Sequence, residues 1–316
     1  MMKAKKIILV GAGAVGCSFL YSAMNRGLAS EYGIIDVNKA NVEGQTLDFE
    51  DGSAPSDYPF NVFAAEYSDC KDADLVVITA GRPQLPGETR LNMVEGNAKI
   101  MKEIATNIKQ SGFKGITVIA SNPVDILTLV YQEVTGFDKK TVIGSGTSLD
   151  SARLTREISK RINIAPQSIQ AYVLGEHGDS SVSAFSVATV GGLPLSYFVK
   201  NKRIDESEFP KIHEFVWKKA YEIIERKRAT FYGIGVNLAN ICENIIRDSR
   251  KVLAIGAFLE GQYKNSGIYT GVPAVIGVNG IEEIIEFTLS DAEQKQFDNS
   301  VKQLKEVVEK ARQAIK

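Results

Sequence analysis

The sequence predicts an α/β protein: a doubly wound, six-stranded parallel sheet followed by an α+β region with antiparallel strands. Three observations carry this reading. Short apolar runs alternate with helix-patterned stretches through the first half, the sign of a parallel sheet covered on both faces. The first run, Ile7-Ile8-Leu9-Val10, stops in the glycine turn Gly11-Ala12-Gly13-Ala14-Val15-Gly16 and continues as a helix. After about Gly144 the alternation gives way to longer helical patterns and a hairpin signal at Asn279-Gly280.

Taken in order, Lys5–Val10, Tyr32–Asp36, Asn61–Glu66, Asp74–Thr79, Ile116–Ala120 and Thr141–Ile143 read as the parallel strands. Residues 1–144 are therefore expected to form a Rossmann-type domain and 145–316 a second, α+β domain. In the second half, Gln170–Leu174 and Val182–Val190 read as strands, with Gly191-Gly192 as a turn. From Phe209, apolar residues at Ile212, Phe215, Val216, Ala220, Ile223 and Ile224 predict a helix. Gly233-Ile234-Gly235 is expected to divide it from a second helix carrying Leu238, Ile241 and Ile245. Val272–Val278 and Ile281–Leu289 flank Asn279-Gly280, where a tight turn wants positive φ at both residues, and predict a second, antiparallel sheet. Ser290 and Glu293 make a capping box for a last helix with Phe297, Val301, Leu304, Val308, Ala311 and Ile315 on one face.

Composition narrows the function class. A formal charge of −1 over 316 residues, with both signs interspersed, argues against nucleic-acid or anionic-membrane partners. Cys17, Cys70 and Cys242 are odd in number and far apart, so neither a disulfide framework nor a metal site is expected, and a reducing compartment is. The first strand begins too near Met1 for a cleavable signal, and no apolar run approaches membrane-spanning length. A cytoplasmic protein is the expectation.

The glycine turn has the form of a dinucleotide site. Gly11 permits the tight turn, Gly13 lets a pyrophosphate approach the backbone, and Gly16 lets the helix pack on the strand. The N–H groups of Ala14 and Val15 then open the helix toward the phosphates. Asp36 closes the next strand 20 residues after Gly16, where a carboxylate can accept bonds from an adenosine ribose and would repel a 2′-phosphate. NAD is the expected cofactor. The bland alternative for Asp36 is a strand-end turn residue. Ala80-Gly81 and Ser121-Asn122-Pro123 end neighbouring strands and should converge on the same crevice.

Four residues could do chemistry. His177, in Gly175-Glu176-His177-Gly178-Asp179, follows a strand directly, and an imidazole there can pass a proton to a carbonyl oxygen. Taken alone, a histidine at a strand end is more often simply hydrogen-bonded. Asp150 and Arg153 share one helical turn, either as a tautomer-fixing carboxylate and a carboxylate-binding fork or as an ordinary salt bridge. The glycine- and proline-rich stretch from Gly81 to Arg90 reads as a mobile lid that could carry Arg90 over a substrate, or as a solvent-exposed connection. His213, set among Ile212, Phe215 and Val216 on a helix, reads as a histidine satisfied by its structural surroundings.

Together these motifs resemble the L-lactate and malate dehydrogenase family over nearly the whole chain. They occur in the family's order: Gly11–Gly16, Thr79-Ala80-Gly81, Pro86–Arg90, Ser121–Asp125, Leu149–Arg153, Gly175–Asp179 and Ala229-Thr230. The resemblance implies an enzyme with His177 as acid and base, Asp150 as its partner, Arg153 on the substrate carboxylate and Arg90 polarising the carbonyl. It also implies that Asn122 bridges cofactor and substrate and that Thr230 lines the pocket. Gln84 stands where malate enzymes of this kind carry arginine, so pyruvate is the expected substrate and L-lactate its product, with Arg82 nearby expected to point away. Malate or a broader L-2-hydroxyacid is the enzymatic alternative, and a non-catalytic NAD-binding sensor the alternative of another class. Thr155 and Gln170 replace the cationic pair that binds fructose 1,6-bisphosphate in many bacterial relatives, so little activation by it is expected. Arg228 stands where glycine is common. A homotetramer is implied, with a dimer as the alternative.

Overall fold

The structure, a computed structural model, describes residues 5–82 and 90–315, with 90–92 described as backbone. All six parallel strands form where the apolar runs place them: β1 (Lys6–Val10), β2 (Glu31–Ile35), β3 (Asn61–Ala64), β4 (Leu75–Ile78), β5 (Ile116–Ile119) and β6 (Val142–Gly144). Continuous burial of β4 and β5 shows why these runs do not alternate, since helices cover both faces. Those helices are α1 (Ala14–Asn25), α2 (Lys39–Asp51), α3 (Arg90–Ser111) and α4 (Val124–Thr135). The order β6-β5-β4-β1-β2-β3 puts the topological switch between β1 and β4, so the crevice opens beyond Val10 and Ile78.

The second half departs from expectation in several places. α5 (Ser148–Ile162) is followed by β7 (Ile169–Gln170) and β8 (Val173–Leu174), so the single strand expected at 170–174 is broken. Residues 182–190 likewise split into β9 (Val182–Ser183) and β10 (Thr189–Val190) around a turn of 3₁₀ helix. The reason is pairing: β8 joins β9, whereas β10 lies between β7 and β11 (Leu193–Pro194), so the chain crosses twice between two small sheets. A short α6 (Leu195–Lys200) leads to the long helix α7 (Phe209–Lys227).

The division from α8 (Tyr232–Ile246) falls at Arg228 rather than at the two glycines. Arg228 ends α7 in the left-handed region at φ 71°, and Gly233 and Gly235 lie inside α8. Gly235 is there for packing: a Cβ on it would come within 2.7 Å of Ser18 on α1.

Finally, β12 (Lys251–Glu260), which the sequence reading leaves unassigned, β13 (Ser266–Gly277) and β14 (Gly280–Ile284) extend the first sheet instead of forming another. The link is one antiparallel pair, Gly256 opposite Gly144, and a Cβ on Gly256 would sit 2.9 Å from the Gly144 Cα. The hairpin turn is Val278-Asn279, with positive φ only at Gly280 (90°), which pairs with Gly277; the turn thus resembles a type I turn with a following bulge. α9 (Asp291–Ala314) matches expectation except at Ile315, which caps the helix half-buried; its Ser290–Glu293 capping box is formed and Phe297, Val301, Leu304, Val308 and Ala311 are buried.

An arginine at φ 71° bears the left-handed cost that glycine escapes, roughly 1 kcal/mol. Arg228→Gly should therefore raise the thermal unfolding midpoint by about 2 °C; a lower midpoint would show that the arginine side chain stabilises this turn.

Candidate active site

At the switch point the strand ends are stitched together. The Gly11 amide donates to the Ile35 carbonyl at 2.8 Å, and the Thr79 and Ala80 amides both donate to the Val10 carbonyl, at 2.9 and 3.0 Å. Gly11, at φ 110°, runs against Ala80, where a Cβ would lie 2.5 Å from the Ala80 nitrogen. Around Gly13, by contrast, nothing lies within 4 Å of where a Cβ would be. Gly13 caps α1 without a side-chain bond, and no acidic residue stands in the first turn, so the amides there are open to an anion.

Asp36 occupies the end of β2 and does what a turn residue would: its carboxylate accepts from the amides of Ala12 at 2.8 Å and Asn38 at 3.0 Å. A carboxylate has further acceptor positions, so these bonds leave room for a ribose hydroxyl. The open Gly13 backbone, uncapped helix and adjacent carboxylate fit a dinucleotide such as NAD.

A second cluster of ionisable groups is built from α5 and the turn after β8. His177 Nδ1 is 2.6 Å from Asp150 Oδ2, and Arg153 Nη1 donates to Asp150 Oδ1 at 3.1 Å. α5 supplies both charged partners from one turn, and Asp150 and Arg153 keep only 7% and 8% of their side chains exposed, whereas His177 keeps 28%. The pair is therefore no ordinary surface salt bridge. The Asp150 charge, against the effect of burial, pushes the His177 imidazole up to about 9. Burial alone would raise Asp150, but His177 and then Arg153 outweigh it and hold the carboxyl below its ordinary value. With Nδ1 turned to Asp150, the Nε2 edge is left for a reacting oxygen.

The backbone around His177 is fixed from three sides. Its own amide donates to Asp125 Oδ2 at 2.9 Å, the Glu176 amide to Ser300 Oγ at 2.8 Å, and Gly175 bridges Gly271 with two bonds of 2.9 Å. Asp125, on α4, is 2% exposed; burial pushes its carboxyl up to about 7, and its Oδ1 meets no donor among the described residues. Asn97 is a second buried organiser: it binds the Arg82 backbone from both sides of its amide, at 3.0 and 3.2 Å, and donates to the Asn122 carbonyl at 2.9 Å. Neither stood among the site residues expected from sequence. For Asp125 there was a signal, a charge inside the apolar run Val124–Val130; for Asn97 there was none.

Asn122, exposed beside its cis bond to Pro123, and Gly81 face the same region as Gly11. The Arg82 guanidinium lies against Gly96 of α3. Thr230 sits half-buried in the α7–α8 turn, and Gly233 three residues on is set against Leu149, the neighbour of Asp150. Gln84 and the lid around it lie outside the described residues, as does the Arg90 side chain. Thr155 and Gln170 do come together, lining a hollow of about 600 Å³ in which Lys251 is the one cation among the lining residues. His213 is satisfied structurally, its Nδ1 2.9 Å from the Ser183 hydroxyl.

Residues 5–144 match the lactate/malate dehydrogenase NAD-binding-domain family, and residues 147–315 the alpha/beta C-terminal domain of lactate/malate dehydrogenases. The chain is 55% identical over 314 residues to an L-lactate dehydrogenase of Mycoplasma mobile, covering 99% of each chain. It is 54% identical over 310 residues to one of Mesoplasma florum, covering 98% of each. Among solved structures it is similar to the minor L-lactate dehydrogenase of Enterococcus mundtii in its ligand-bound form, at 42% identity and a TM-score of 0.95, over 97% of this chain and 98% of that one. A lactate dehydrogenase from a deep-sea metagenome is 40% identical, with a TM-score of 0.96 over 98% and 99% of the two chains.

Because the Asp150 charge is the main cause of the raised His177 value, Asp150→Asn should bring the imidazole down by at least about one pH unit, read from its ring-proton NMR shifts. The sign for stability follows: a folded value of about 9 against the ordinary 6.5 stabilises the fold fully below pH 6.5 and ceases to do so as pH rises through 9. Wild-type stability should therefore decline across that window more than that of Asp150→Asn, and equal slopes would overturn the assignment.

Proposed function

The chain belongs to the lactate/malate dehydrogenase family, an NAD-dependent oxidoreductase, and we propose that as an L-lactate dehydrogenase it interconverts pyruvate and L-lactate with His177 as proton carrier. The observation that supports this most directly is the buried chain His177–Asp150–Arg153, with links of 2.6 and 3.1 Å. The cofactor, when bound, donates or accepts the hydride.

Gly11, Gly13, Ala14, Val15 and Gly16 would take the pyrophosphate, Asp36 the ribose, and Ala80, Gly81 and Asn122 the rest of the dinucleotide. This chain's residues then supply orientation, charge and a proton. Protonated at neutral pH, His177 gives its Nε2 proton to the ketone oxygen, and Asp150 compensates the charge beforehand. In the reverse direction Nε2 takes the proton back from the hydroxyl. Arg153 uses Nη1 on Asp150, which leaves the opposite edge of its fork for the substrate carboxylate.

Gln84, Arg90, Asn122 and Thr230 are assigned to the substrate on resemblance, Arg90 polarising the carbonyl and Gln84 making the site one for pyruvate rather than oxaloacetate. The division of labour is read as 1–144 for NAD and 145–316 for substrate. Thr155 and Gln170 leave their hollow without the paired cations that a bisphosphate needs, so turnover should not depend on fructose 1,6-bisphosphate. A cytoplasmic homotetramer, or failing that a dimer, completes the reading; among the described residues no helix is long and apolar enough to cross a membrane.

Initial rates of NADH oxidation with pyruvate and with oxaloacetate, each with and without fructose 1,6-bisphosphate, test this. Fast pyruvate turnover indifferent to the bisphosphate is expected. Preference for oxaloacetate would overturn the role given to Gln84, and NAD binding with no turnover of either would favour a non-catalytic sensor. Arg153→Lys keeps the charge but loses the fork, and should raise the pyruvate KM on the order of tenfold or more.

A further inference from the structure

Arg153 reaches two acceptors with the same nitrogen. Besides Asp150 Oδ1, its Nη1 points to the backbone carbonyl of Val216 at 3.4 Å. The two bonds fix the plane of the guanidinium, and among the described residues no bond engages its other nitrogens. The orientation of the free edge therefore depends on where α7 holds Val216.

Apolar packing sets the distance between α5 and α7, through a cluster that includes Leu154, Ile158, Ile212 and Val216. Such packing has no direction and leaves sliding and rotation of the helix weakly opposed. Direction comes from hydrogen bonds. Besides the Arg153–Val216 bond itself, His213, a turn before Val216 on the same face, supplies one: its Nδ1 is 2.9 Å from the Ser183 hydroxyl. Ser183 is 6% exposed on β9, opposite Val173 of β8, the strand that leads into Gly175-Glu176-His177. Tyr221 to Asp179, another link from α7, is exposed to solvent. His213 itself is half-buried, and burial holds it below the ordinary histidine range, so at neutral pH it puts no positive charge beside Arg153.

We infer that His213 is a positioning residue: its bond to Ser183 locks α7 to the strand pair that carries His177, and so sets the Val216 carbonyl that aims Arg153 at the substrate carboxylate. This rests on the reading of Arg153 as the carboxylate-binding residue. Binding and proton transfer then share one scaffold, because the fork on α5 and the imidazole after β8 are referenced to each other through α7.

The test is the steady-state kinetics of pyruvate reduction at saturating NADH, with thermal unfolding alongside. His213→Leu should raise the pyruvate KM on the order of threefold to tenfold, the scale of one partly buried hydrogen bond, with kcat within about twofold. His213→Asn, which places an amide where Nδ1 stood, should recover most of that. Ser183→Ala should reproduce the leucine variant, and the double variant should add little to either. A lower unfolding midpoint with unchanged KM, failure of asparagine to rescue, or additive single effects would each overturn the inference. Should His213→Leu not fold, Ser183→Ala carries the test by itself. If Arg153→Lys leaves the KM at its wild-type value, the reading of Arg153 fails; if it raises the KM while His213→Leu does not, this inference alone fails.

Discussion

One buried carboxylate, Asp150, holds the site together by facing two cations. Its oxygens divide between His177 at 2.6 Å and Arg153 at 3.1 Å, and each bond would be costly without the other charge. An isolated carboxylate at this depth would be driven to take up a proton; here it stays ionised and makes its neighbour basic. The imidazole and the guanidinium are thus held by the same charge. A change at either end of this chain is felt at the other, and additive behaviour between them is not to be expected.

The fold makes that arrangement affordable by enclosing it in rigid elements. α5 presents Asp150 and Arg153 from one turn, and α4, α9 and β13 hold the backbone before and at His177 through Asp125, Ser300 and Gly271. His177 stands on a loop, but the hydrogen bonds of that loop end on helices and strands. The dinucleotide side follows the same rule, with Gly11 clamped against Ala80 and Asp36 tied to the turn it completes.

The parallel half was legible because burial on both faces writes strands as unbroken apolar runs, and β1 to β6 fall where those runs lie. His177, Asp150 and Arg153 were legible as short motifs whose order mattered more than their composition. β12 went unassigned: Gly256 in the middle of it reads as an interruption, yet glycine is required there because Gly144 crosses against it. β7 to β10 were misjoined because local pattern shows that a segment is extended, not which partner it pairs with. Asp125 and Asn97 act across 52 and 25 residues of chain, on backbone atoms whose positions no local pattern encodes.

The Gly144–Gly256 crossing also bears on how the molecule comes apart. A single hydrophobic core includes Ile7, Val77 and Ile119 from the parallel strands together with Ile255, Tyr269 and Phe297 from the far half. Cutting the polypeptide at the seam between the two matched segments would bare apolar surface on both pieces. Each piece would lack part of that shared core, and the halves should melt in one cooperative step, with loss of the cleft and loss of the fold arriving together.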